Sequence, residues 1–97
     1  MATNFIGGRS SYSASIQTTL TNNTITPFPQ SAKAFKLHPN ANISAVYMWS
    51  NVLEPGEDNY AALLVQNSDA GTLFPFKCEF IRTITGDSSN MDIEYLF

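Results

Sequence analysis

From Met91 to Phe97 apolar and polar side chains alternate. Met91, Ile93, Tyr95 and Phe97 fall on one side of the chain, Asp92 and Glu94 on the other. A side-chain period of two belongs to a β-strand with one buried face. Near the other end Tyr12, Ala14, Ile16, Thr18 and Leu20 alternate with Ser11, Ser13, Ser15, Gln17 and Thr19, which predicts a strand over residues 11–20 with the first set buried. No stretch carries the 3.6-residue period of an amphipathic helix.

Between these ends the same reading gives further strands. Thr24-Ile25-Thr26 is a brief one, stopped by Pro27-Phe28-Pro29 because proline cannot donate to a ladder. Residues 32–37 form another, followed by a loop from His38 to Asn42. Residues 43–53 are apolar on both faces, with Ile43, Ala45, Tyr47 and Trp49 on one and Val46, Met48 and Val52 on the other. Such a strand lies centrally or under a second covering surface. Pro55-Gly56 suits a turn, and residues 60–66 return as a second two-sided apolar strand, so the pair predicts a hairpin. Residues 67–71 turn again into a long strand over 72–85, with Phe74, Phe76, Cys78 and Phe80 on one face and Pro75 marking an edge or bulge. Residues 86–90 are expected to close a last hairpin into the C-terminal strand. The sum is one all-β domain, a small antiparallel β-sandwich or barrel of six to seven strands over residues 11–97. Residues 1–10 precede it as a flexible N-terminal arm, with Gly7-Gly8 as a hinge.

Composition narrows the function classes. Charged residues make up 13% of the chain, and polarity comes instead from 10 Ser, 9 Thr and 9 Asn. Seven Phe, four Tyr and one Trp supply the buried area a short chain needs. With three Lys, two Arg and a net charge of −3, the chain lacks the basic cluster that neutralises phosphates, so no nucleic acid is expected as partner. An anionic membrane surface is disfavoured on the same ground, and no apolar run reaches the length of a membrane span. The first nine residues have neither a basic nor an apolar signal-peptide region, so synthesis in a cytoplasm is expected.

Candidate chemistry is sparse. His38, the one histidine, precedes a proline in a polar loop and reads as a solvent-facing residue. Cys78 shares its face with phenylalanines, which predicts a buried, unreactive thiol. Glu54, Glu57 and Asp58 crowd one turn, where calcium would need six to eight oxygens; a solvated loop is the default. Asp87, beside Ser88 and Asn90, reads as a turn-forming residue. Tyr47, Trp49 and Tyr60 together suggest a platform for a sugar ring, against the plainer reading that Trp49 packs in the core. No acid–base pair, metal set or phosphate loop is visible, so neither an enzyme nor a cofactor is expected.

Three features point instead to assembly: the Ser/Thr/Asn-rich surface, an arm carrying Asn4, Phe5 and Ile6 that is suited to strand addition, and two strands more apolar than a two-layer sandwich requires. In composition the chain is similar to small structural proteins of bacteriophage particles, such as head-decoration, head-completion or tail proteins. That similarity implies a virion location and protein partners, either further copies of itself or a larger viral lattice. Asn4, Phe5, Ile6, Val46 and Met48 are the expected contact residues. A carbohydrate-binding module built on Tyr47, Trp49 and Tyr60 is the alternative. An inhibitor of a host protein, encoded by a phage or plasmid, is a third.

Overall fold

A computed structural model describes residues 12–40, 43–50, 52, 54–56 and 58–97. The arm residues Asn4, Phe5 and Ile6 lie outside this range. Among the described residues eight strands run in chain order: β1 (Ser15–Leu20), β2 (Thr26–Pro27), β3 (Ala34–His38), β4 (Ile43–Trp49), β5 (Ala61–Gln66), β6 (Leu73–Phe74), β7 (Phe80–Thr85) and β8 (Met91–Leu96). They form two antiparallel four-stranded sheets, β1-β8-β3-β6 and β2-β7-β4-β5. The protein is a small all-β sandwich.

Its topology follows from one rule. The first strand pairs with the last, the second with the seventh, the third with the sixth, and the fourth with the fifth. A long hairpin folded on itself in this way and rolled up gives the eight-stranded double-sheet jelly roll. The roll is closed by β3 against β8 and β4 against β7. Apart from the β4–β5 hairpin, every link between successive strands crosses from one sheet to the other.

Two expectations from sequence are corrected by this crossing. The strand expected over residues 72–85 is two strands, β6 in one sheet and β7 in the other. Pro75 stands at the break, where a missing N–H ends the ladder. Residues 86–90 do not close a hairpin, because β7 and β8 belong to different sheets. Their Asp87 acts as a turn residue, accepting from the Ser89 N–H at 3.1 Å and the Ser89 hydroxyl at 2.6 Å. Those two bonds hold its carboxyl below the usual range.

The core lies between the sheets. Leu20, Phe35, Leu37, Met91, Ile93 and Tyr95 face Val46, Met48, Val65 and Ile81. Phe28, from the β2–β3 link, packs edge-on to Phe35 and Tyr95 at 5.5 and 4.9 Å between centroids. The alternation in β8 holds from Met91 to Tyr95, with Asp92 and Glu94 turned outward from buried neighbours, and ends at Leu96, which is buried as well. In β1 it holds only at Leu20. Ile16 sits opposite Tyr95 on the core-facing side yet is 58% exposed, because β1 is an edge strand at the margin of the sandwich.

Candidate functional site

The two outer faces of the sandwich differ in kind. On the β1-β8-β3-β6 sheet, Asp92 accepts from Thr19 Oγ1 at 2.8 Å and from Gln17 Nε2 at 3.4 Å. Lys36 stands directly across from Glu94. His38 is the last residue of β3 rather than a loop residue, half-buried with Nε2 3.5 Å from Glu94 Oε1. This face is polar and largely satisfies itself. A shallow depression of about 570 Å³ beside Tyr12, Lys36 and Glu94 lies on it.

The other sheet turns an apolar face to solvent. Register fixes its membership, since residues directly opposite each other in an antiparallel pair share a face. Ile43, Ala45, Tyr47 and Trp49 of β4 stand beside Leu64 and Ala62 of β5 and beside Ile84, Arg82 and Phe80 of β7. Leu64 is 69% exposed and Ile43 54%. Val46 and Met48, the contact residues expected from sequence, are not part of this face. Both belong to the core cluster beneath it. Because β4 is apolar on both sides, its pattern does not say which side is inner. The cue lies in β7, where Arg82 pairs opposite Tyr47 and so turns the whole Tyr47 row outward.

Tyr47, Trp49 and Tyr60 do come together, but not as a platform. Tyr60 meets Tyr47 edge-to-face at 4.9 Å and 89°, and Trp49 at 5.8 Å and 68°. The Arg82 guanidinium lies over both Tyr47 and Trp49, 4.7 and 5.6 Å from their centroids, within the range of cation–π attraction. Trp49 is on the outer face yet only 1% exposed. Tyr60 packs against it, and its Nε1–H donates to the Gly56 carbonyl at 3.0 Å. Gly56 is itself held by its N–H to Asn59 Oδ1 at 2.9 Å. No face of Trp49 is open for a sugar ring to stack on.

The remaining candidates are dispersed. Cys78 is buried, and burial together with the Glu79 carboxylate pushes its thiol up to about 12, which matches the unreactive role expected. Glu54 and Asp58 are exposed. Asp69 is at the opposite end of the β4–β5 hairpin, where it accepts from the Gln66 N–H at 2.7 Å. Among the described residues no three His, Cys, Asp or Glu side chains converge as a metal set. A scan against protein-family models found no match, and searches of curated proteins and of solved structures returned none. What the geometry offers a partner is the outer face of the β2-β7-β4-β5 sheet.

Proposed function

We propose that this protein is a non-enzymatic assembly component that works by protein–protein contact, as a small structural protein of a bacteriophage particle does. The apolar outer face around Ile43, Leu64 and Ile84 carries the reading. An exposed apolar face is a mark of an interaction surface; here it is interrupted by Arg82 in the row of Tyr47, and the opposite face of the same sandwich is polar. Jelly rolls recur in viral capsid and lectin domains, which supports the reading by analogy of fold alone. The face spans three strands about 4.8 Å apart and about 20 Å long, a footprint of roughly 300 Å². A specific pairwise interface buries roughly 800 Å² per partner. A face of this size suits repeated weak contacts on a lattice, where many copies add their affinities.

Sedimentation tests it. Expressed in its own host during particle production, the protein is expected to co-sediment with a large particle. Ile43→Glu, which places a charge on the face without entering the core, is expected to leave it in the light fractions. A native protein that stays in the light fractions refutes the assembly reading.

A further inference from the structure

We propose that β5 pairs antiparallel with β5 of a second copy, joining two outer faces into one continuous apolar surface. The pairing rests on the assembly reading for its purpose; its geometry stands on the edge of the sheet.

Residues of a strand send their backbone polar groups alternately to either side. In β4 the Ile43 carbonyl accepts from the Gly86 N–H at 3.1 Å and the Trp49 carbonyl from the Glu79 N–H at 2.7 Å. Ile43, Ala45, Tyr47 and Trp49 therefore bond toward β7. Ser44, Val46 and Met48 bond toward β5, where their partners are Val65, Leu63 and Ala61. That leaves the N–H and C=O of Ala62 and of Leu64 directed away from the sheet. Among the described residues β5 is the edge strand of this sheet, and both residues are exposed. Gln66 would be next in the row, but its N–H is already taken by the Asp69 carboxylate.

Sandwiches commonly blunt such edges with charge, proline or brevity. The other edge of this sheet, β2, is two residues long and contains Pro27, and β6 is two residues long as well. β5 has none of these devices: its sequence is Ala-Ala-Leu-Leu-Val-Gln. β1 is an edge of equal length, but its outer face is polar, with Gln17 and Thr19 held by Asp92. Backbone pairing there would cover Ile16 on the inner side but would extend no apolar outer face.

A second copy is the occupant that fits β5. An uncharged strand meets its own image without like-charge repulsion. A two-fold axis at Leu63 sets Ala62 against Leu64 of the second copy and Leu64 against its Ala62. All four free backbone groups of each copy are then satisfied. Leu64, the most exposed large apolar side chain among the described residues, gains a neighbour across the junction. The joined sheet carries two footprints side by side, about 600 Å², closer to what a stable contact on a lattice requires.

The test is solution mass by light scattering across a dilution series, with a crosslink to fix the register. Leu63 faces Leu63 of the second copy in a non-hydrogen-bonded pair, where Cα atoms lie about 4.5 Å apart, within disulfide range. The native protein is expected to be a dimer that dissociates on dilution. Leu63→Cys should give a covalent dimer on mild oxidation, and the buried Cys78 should not. Ala62→Pro, which removes an outward N–H, should shift the dissociation midpoint at least tenfold toward higher concentration. Leu64→Lys, which leaves the backbone intact, should do the same, so a folding defect in either variant does not decide the matter. A native monomer at every concentration overturns the pairing. So does a dimer that neither variant weakens, or one that vanishes when residues 1–8 are removed and gives no Leu63→Cys crosslink. A β5-dependent dimer that never joins a large particle keeps the pairing and refutes the assembly reading. A protein that enters the particle regardless of Ala62→Pro does the reverse.

Discussion

Replacing Thr83 by valine should stabilise this protein. Thr83 lies on β7, points into the core opposite Val46, and is 0% exposed. Its hydroxyl has no hydrogen-bond partner. A buried hydroxyl left unpaired costs about 1–3 kcal/mol. Valine keeps the branched shape and puts a methyl where the oxygen was, so the strand preference is retained and no cavity opens. A gain of about 1.5 kcal/mol is expected, which in a domain of this size corresponds to roughly 6–12 °C in Tm. Urea unfolding followed by Trp49 fluorescence measures it, with the midpoint moving up by about 1 M for a slope near 1.5 kcal/mol/M. Thr83→Ser is the control. It keeps the hydroxyl, loses the methyl, and should fall by about 1 kcal/mol. A Thr83→Val midpoint below that of the native protein would refute the reasoning, because it would mean the hydroxyl is bonded in solution.

Cys78 should resist thiol reagents in the native state and react fully once the chain is unfolded in urea. Its thiol holds a proton up to about 12 when folded, against 9.0 for the ordinary group. Between those values the native state binds more protons than the unfolded state, so stability is complete below pH 9 and falls as pH rises above it. At pH 10.5 the loss should approach ~2 kcal/mol. Cys78→Val should show a shallower decline over the same range, and parallel declines would refute the assignment. Trp49 emission should be blue-shifted and unmoved by a panel of soluble glycans. A glycan-dependent shift would reinstate the sugar platform.

The sequence was most legible where one face of a strand is polar. β8 declares its inner side through Asp92 and Glu94, and the class of fold follows from several such segments. It was least legible in β4, where Ser44 is the only polar residue and lies on the buried side. With both faces apolar the pattern does not separate inner from outer, and Val46 and Met48, expected as contact residues because they are surplus apolar side chains, belong to the core. Crossing between sheets was hidden as well. A turn into a hairpin and a turn into the opposite sheet use the same residues, so Gly86-Asp87-Ser88-Ser89-Asn90 reads alike for both. The break at Pro75 was marked, but an edge or bulge within one strand and a change of sheet leave the same proline. Exposure of Ile16 depends on how far the facing sheet extends, which no local pattern encodes.

The rolled-up topology also dictates an order of events. Leu20 waits for Met91 as its partner, and β2 waits for β7. Only β4 and β5 are near neighbours in the chain, so their hairpin is the one sheet contact that closes locally. Folds dominated by remote pairings close in milliseconds to seconds rather than microseconds. During synthesis at about 5–20 residues per second, β7 follows β5 by roughly 1–4 s. Through that interval the hairpin stands with two apolar sides and two open edges. The edge of β4 is later claimed by β7, whereas the edge of β5 finds no strand among the described residues. Growth temperature and local chain concentration therefore decide whether a nascent hairpin meets its own β7 or another chain's hairpin.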